Sequence, residues 1–284
     1  MNKMFFLAAV TLLILCGCND TPDNPASMNV ATFNIRMDTP NDSLDAWPHR
    51  KEMVKGLIAF HDFDLFGIQE GFHHQIIDIL ELGTYAYVGG GRDDGKSAGE
   101  HSAIFYKKER FEMLHNGDFW FSETPDVPGK GWDATCCNRI CSWAHFKERS
   151  SGREFHFFNM HYDHQGKEAR KNSSLLLLQR VREIAGDNPA ICTGDLNATP
   201  ESEPIRIILQ DGLLNDAYIA TRTPPYGTIG TYNSFNLNAK MQSRIDYIWT
   251  TRHFTVNKYG VLNDMQYGHF PSDHFPVMVN VTVN

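Results

Sequence analysis

Two spacings of apolar residues take turns along this chain, one of two residues and one of three to four, and their succession predicts its elements. From Met28 to Arg36, Val30, Thr32 and Asn34 fall on one face and Ala31, Phe33 and Ile35 on the other, which predicts a first strand. Pro48 suits the first turn of a helix whose inner face carries Met53, Val54, Leu57 and Ile58. Asp64 to Glu70 is an apolar strand finishing in an acid, and a second helix from Phe72 to Leu82 turns Ile76, Ile77 and Leu80 inward. Tyr85 to Val88 predicts a strand that enters a Gly-rich loop, residues 89–96. Ser102 to Lys107 and Phe111 to Phe121 are expected to pair as strands; Arg139 to Phe146 and Glu154 to His161 add two more. A long helix after Gly166 buries Leu177, Leu178, Val181 and Ile184 and stops at Gly186. Ala190, Ile191 and Cys192 then form a buried strand that runs into Gly194-Asp195-Leu196-Asn197. A helix near Ile205 to Leu209, a strand from Arg244 to Trp249 and a last pair of strands flanking Pro271 to Pro276 follow.

The amino-terminal stretch obeys neither spacing. Lys3 precedes an apolar run of twelve residues from Met4 to Leu15, too short for a bilayer that needs about 20, so a secretion signal is expected over residues 1–17. It resembles a bacterial lipoprotein signal, in which Cys18, behind the small residue Gly17, becomes the acylated amino terminus; a plain cleaved signal is the alternative. Residues 18–27, rich in Asp, Asn, Pro and Thr, read as a tether. Residues 28–284 read as one domain, because no linker divides them and their length allows a sizeable core.

Charge narrows the range of partners. The formal net charge is −8, and loss of residues 1–17 removes only the positive charge of Lys3. That excess of acid argues against a basic stripe tracking duplex nucleic acid, though not against a small basic pocket. Of six cysteines, Cys16 and Cys18 belong to the signal, while Cys136, Cys137, Cys141 and Cys192 permit several pairings in an exported chain. The Cys-Cys-x-x-x-Cys spacing is a poor zinc site.

Five apolar segments end in residues able to bind a metal, accept a proton or hold phosphate: Asn34, Glu70, His161 with Asp163, Asp195 with Asn197, and Asp246 followed later by Asp273-His274. Each has a bland explanation by itself. Asn34 can close a strand, Glu70 can cap the next helix, and Asp163 and His164 can cap a helix as readily as touch a substrate. Buried acids are costly unless paired or metal-bound, so the ends are expected to converge. If extended geometry persists past Asp195, Asn197 points the same way. Arg92 and Lys96 either ride a solvated hairpin tip or stand over an anionic substrate, in a loop without P-loop spacing. Arg139 either supports phosphate or makes a surface ion pair. Trp120, Phe121 and Trp132 border a Pro/Gly loop and are expected to pack against the scaffold. His73, His74 and His156 have no motif around them.

In chain order, Thr-Phe-Asn34-Ile-Arg, Ile-Gln-Glu70, Asn-Met-His161, Gly-Asp195-Leu-Asn197, Arg-Ile-Asp246-Tyr and Ser-Asp273-His274 resemble the motifs of the endonuclease/exonuclease/phosphatase superfamily. The Asp-Asp-Gly-Lys loop and Tyr-Asp-His-Gln element look like a subgroup of secreted bacterial hydrolases. The resemblance implies an α/β fold, a four-layered α/β sandwich of two mixed β-sheets packed face to face with helices on the outside. It implies Mg²⁺ or Mn²⁺ rather than Zn²⁺, held through oxygen by Glu70 with Asn34 and Asp273. In it Asp195 would orient or deprotonate water and Asn197 hold a phosphate oxygen. His274, its tautomer fixed by Asp246, would act at phosphate, with His161 as a second donor. Arg92, Lys96, Arg139, Asp163 and His164 are candidate substrate contacts. The expected protein is an exported, monomeric phosphoesterase, tied to a bacterial membrane by lipid alone, cleaving a small or glycan-linked phosphoester by in-line attack of water. An extracytoplasmic nuclease of the same fold and a non-catalytic glycan-binding lipoprotein using Trp120 and Trp132 remain as alternatives.

Overall fold

A computed structural model describes Met1 and residues 27–284; the expected signal, Cys18 and the tether up to residue 26 lie outside the described residues. In chain order the strands are β1 (Met28–Asn34), β2 (Leu65–Gln69), β3 (Tyr85–Val88), β4 (Ile104–Lys107), β5 (Phe111–Trp120), β6 (Ile140–Glu148), β7 (Glu154–His161), β8 (Ala190–Asp195), β9 (Asn215–Asp216), β10 (Asp246–Thr250), β11 (Phe254–Val261) and β12 (Val277–Val283). The helices are α1 (Trp47–Phe60), α2 (His73–Leu80), α3 (Lys167–Ala185), α4 (Glu203–Asp211) and α5 (Ala217–Ala220).

Two six-stranded sheets result, in the orders β11-β12-β1-β2-β4-β3 and β5-β6-β7-β8-β10-β9. Each is mixed: β1 runs parallel to β2 and β7 parallel to β8, with antiparallel neighbours elsewhere. Alternation gives every central strand two apolar faces. Val30, Leu65, Phe157, Ile191, Ile248 and Val279 fill the space between the sheets. Ala31, Phe33 and Phe66 face outward onto Val54, Leu57, Ile58, Ile76 and Ile79 of α1 and α2. Cys192, Tyr247 and Trp249 do the same for Leu177, Val181, Ile205 and Ile208 of α3 and α4. The four layers are therefore helix, sheet, sheet, helix, as the sequence resemblance implied.

Several local expectations need correction. β4 and β5 do not pair, because both edges of β4 are already hydrogen-bonded, to β2 and to β3, and β5 pairs with β6 in the other sheet. In α2 the buried residues are Gln75, Ile76 and Ile79, and Ile77 is exposed. The Gln75 side chain accepts from Asp38 N and Phe72 N and donates to the Arg36 carbonyl, which fixes how this short helix is rotated. In α1 the buried face includes Trp47 and Arg50, and Met53 is only half-buried.

Towards one end of the sandwich the inter-sheet filling turns polar. Asn159 of β7 donates to the Ile68 and Ala103 carbonyls across the gap (2.7 and 3.0 Å), and its Oδ1 accepts from Gln69 Nε2 and Thr193 Oγ1 (2.7 and 3.0 Å). All four bonding positions of the amide are thus used in a fully buried setting. Replacing Asn159 by Leu, close in volume, strands those partners; we expect urea denaturation to show a loss of about 2–4 kcal/mol. A change within about 0.5 kcal/mol, the scatter of neutral surface substitutions, would show the bridge to be dispensable.

Candidate active site

Period-two geometry builds the site just above that bridge. Asn34 lies on the inward face of β1 with Val30 and Thr32, and His161 on that of β7 with Phe157 and Asn159. Asp195 follows Ile191 and Thr193 on β8. β10 runs antiparallel to β8 with Asp246 opposite Asp195, so the first residue of that strand reaches the same end as the last residue of the other. Glu70 is out of phase, one residue past the inward-facing Gln69, and a left-handed backbone (φ 64°) accompanies the break in alternation. Arg36 (φ 57°) and Asn197 (φ 46°) share this uncommon conformation, which tends to gather at functional sites.

The side chains meet. Asn34 Nδ2 donates to Glu70 Oε1 (3.0 Å) and to Asp195 Oδ2 (3.1 Å), joining acids from opposite sheets. Glu70 Oε2 accepts Met37 N (3.2 Å) and lies 3.8 Å from Arg36. His274 reaches in from the loop before β12, its Nδ1 2.9 Å from Asp246 Oδ2 and its Nε2 3.8 Å from Asp195 Oδ2. His161 Nε2 is 3.6 Å from the same Asp195 oxygen. Beyond Asp195 the extended geometry stops: Asn197 N donates to Asp195 Oδ1 (2.9 Å), and Asn197 Nδ2 serves both the Tyr162 carbonyl and His161 Nε2 (3.1 Å each). His161 therefore carries its proton on Nδ1, 3.9 Å from Glu100 Oε2.

Burial and neighbours set the charges. Burial pushes the Asp195 carboxyl up, and the Asp246 charge adds to this against the pull of His274, bringing it to about 7. Burial works against a charged His274, but the Asp246 charge and hydrogen bond, with Asp195 and Asp273, outweigh it and hold the imidazole well above its ordinary value. His161 goes the other way, lowered by burial and by the charges of Arg139 and Arg92. For Glu70, burial is outweighed by the Asn34 hydrogen bond, the His274 charge and the Met37 N–H, so it stays ionised. One imidazolium, one neutral imidazole and ionised acid thus share one pocket.

Not every candidate joins them. Asp273 lies 4.0 Å from Arg36, outside the groups whose ligand atoms converge. Lys96 is exposed and in no ion pair among the described residues. Asp163 Oδ1 accepts the N–H groups of Gln165 and Gly166 in the turn before α3, whose own first-turn N–H groups, those of Glu168 and Ala169, go to Asp133 instead. Arg139 is buried rather than on the surface; Nη2 donates to His164 Nδ1 (2.8 Å) and Nε stands 3.6 Å from Asp163. Arg92 turns inward onto Glu100 at 2.7 Å. Trp120 packs, donating from Nε1 to the Arg92 carbonyl. Cys136 and Cys137 are bonded to each other, leaving Cys141 and Cys192 as buried thiols.

Comparison with known proteins fits this geometry. The profile described as "Endonuclease/Exonuclease/phosphatase family" matches residues 31–274. The chain belongs to that family. A crystal structure of an endonuclease/exonuclease/phosphatase family protein from Bacteroides thetaiotaomicron is 44% identical, with a TM-score of 0.89 over 92% of this chain and 99% of that one. A mannosyl-6-phosphatase from Bacteroides thetaiotaomicron VPI-5482 is also 44% identical, with a TM-score of 0.86 over 90% and 99%. Among curated sequences, the CCR4-Not complex 3'-5'-exoribonuclease subunit Ccr4 of Debaryomyces hansenii is 21% identical over 92% of this chain and 38% of its own length. Members of the endonuclease/exonuclease/phosphatase family are hydrolases of phosphoester bonds that use divalent metals, and this chain is such a hydrolase. Its donor set fits a metal: Glu70, His161 and Asp195 bring ligand atoms within 4.8 Å of one another, two of them carboxylate oxygens. Asp246 Oδ1 is buried with no protein donor, and a cation offsets the mutual repulsion of these acids.

Sequence reasoning missed two contributors. Glu100, buried beside His161 and Arg92, sits in a loop whose composition reads as solvated. Arg50 donates to the Asp45, Ile35, Arg36 and Pro271 carbonyls and so ties α1 to both loops framing the site; a cation on the apolar stripe of Trp47, Val54 and Leu57 was its signal.

The raised Asp195 value carries a stability prediction. Folding favours the protonated form, so this contribution is complete below pH 3.8 and is lost as pH rises through about 7. Metal-free Asp195→Asn is expected to gain roughly 1–3 kcal/mol over the wild type on going from pH 4 to pH 8, and a saturating divalent cation to erase the difference. Parallel denaturation curves at both pH values would contradict this.

Proposed function

We propose that this chain is an exported, lipid-anchored phosphoesterase that removes phosphate from a sugar or glycan, with mannose 6-phosphate the first compound to test. The observation carrying the reading is the convergent Asn34, Glu70, His161, Asp195, Asp246 and His274 set on a chain 44% identical, over 90% of its length, to a mannosyl-6-phosphatase. Oxygen donors at Glu70 and Asp195 favour Mg²⁺ or Mn²⁺.

The roles follow from position. Glu70 and Asp195 would hold a divalent cation, which would supply Lewis-acid neutralisation of the phosphate charge. Asp195 is held by Asn34 and by the Asn197 N–H, so it orients the attacking water and is placed to take its proton. His274, cationic and fixed through Nδ1 by Asp246, presents Nε2–H to the charge that develops on the phosphoryl group. Asn197 orients the neutral His161 through Nε2 rather than offering phosphate a free N–H. Lys3, the short apolar run and Cys18 support export and acylation.

A panel of mannose 6-phosphate, nitrophenyl esters, inositol phosphates, plasmid and RNA, with Mg²⁺ or Mn²⁺, tests the substrate. Sugar phosphates should be cleaved and mild salt tolerated, chelation should abolish turnover, and His274→Ala should cut kcat by about 10³ or more with folding retained. Preferred cleavage of nucleic acid with steep salt dependence would instead make it a nuclease, and turnover surviving exhaustive chelation would remove the metal. Cys18→Ser should release the protein from the membrane fraction of a producing bacterium; unchanged membrane attachment would refute acylation there.

A further inference from the structure

Beside the candidate centre, and contiguous with it through His161, is a small cavity lined by Arg92, Glu100, His101, Asn138, Arg139 and His161, among others. We infer that this cavity receives one terminal oxygen of a dianionic phosphomonoester, so that the site selects monoesters over diesters. The inference rests on the phosphoesterase reading above and specifies which ester it takes.

Size is the first argument. The cavity volume is about 10 Å³, enough for one oxygen-sized atom. A phosphoryl oxygen fits, whereas an ester oxygen brings a carbon with it. Charge is the second. Two guanidiniums line the same space, Arg139 only 5% exposed, and each commits few of its N–H groups to protein: Arg92 Nη1 to Glu100, Arg139 Nη2 to the imidazole of His164. Unmet donors are the third. Arg92 Nε and Arg139 Nε are buried without a protein hydrogen bond, the second 3.6 Å from Asp163, whereas buried N–H groups are almost always bonded.

These arguments meet in the chemistry of the ester. A monoester loses its second proton near pH 6 and carries close to two charges at neutral pH, with three terminal oxygens; a diester carries one charge and two such oxygens. The His274 and Asp195 side serves either kind. Only the monoester has a further anionic oxygen to offer Arg92 and Arg139, and guanidinium groups suit phosphate oxygens well. Glu100 belongs to the same device: its bond to Arg92 orients that guanidinium towards His161.

The test pairs 4-nitrophenyl phosphate with bis(4-nitrophenyl) phosphate, which share a leaving group, and compares kcat/KM for the wild type, Arg92→Gln and Arg139→Lys with saturating Mg²⁺. The wild type should prefer the monoester, and each variant should lower the monoester-to-diester ratio at least tenfold. Inorganic phosphate should inhibit Arg92→Gln at least tenfold more weakly. Arg92 lies in a loop, so that variant decides the matter if Arg139→Lys does not fold, with melting curves to check. A ratio within twofold of wild type in Arg92→Gln, or a wild type that prefers the diester, would overturn the subsite. Failure to cleave mannose 6-phosphate strikes the sugar assignment alone, since the nitrophenyl pair reads the subsite without any sugar.

Discussion

Acids buried where two sheets part company set the terms for everything around them. Glu70 and Asp246 each come within a few ångströms of Asp195, and ionised carboxylates cannot sit together away from water without compensation. The protein supplies part of it. Asn34 bridges Glu70 and Asp195, backbone N–H groups of Met37 and Asn197 are aimed at carboxylate oxygens, Arg36 stands by Glu70, and His274 is kept charged by Asp246. What is left uncompensated falls on Asp195, whose proton affinity rises into the neutral range. A hard cation would take up that residual charge and, once held, would attract an anionic ester to the same place.

Below this layer the sandwich is built to hold it still. Asn159 joins the sheets with every bonding position filled, Gln69 and Thr193 lock onto it, and Arg50 fastens the loops after β1 and before β12 to α1. A site assembled from the ends of strands keeps its geometry because the strands themselves are packed on both faces, with apolar residues out to the helices and in to the opposite sheet.

Much of this was legible in the chain. Asn34, His161 and Asp195 each stand four residues, an even step, beyond the inward-facing Val30, Phe157 and Ile191, so alternation alone aims them with the core-forming residues. Asp246 was legible as a polar strand terminus, though only the antiparallel pairing with β8 shows why a strand's beginning belongs beside another's end. Asn159 gave the same signal as Asn34 and was passed over inside a motif read for His161. Glu70 and Asn197 depend on left-handed backbone that no local pattern announces. Glu100 and the inward turn of Arg92 lie in a Gly-rich loop where composition gives no direction. The separation of β4 from β5 was hidden because the partners of β4 are distant strands, and proximity in sequence favours the wrong hairpin.

Glu70 and Asp195, from opposite sheets, would be completed by a hard cation at the spot where phosphate is attacked. Anomalous diffraction from crystals soaked in Mn²⁺ measures that position directly. A strong peak within coordination distance of both carboxylates is expected; a peak at other residues only, or none at saturating Mn²⁺, would rule out a shared cation there.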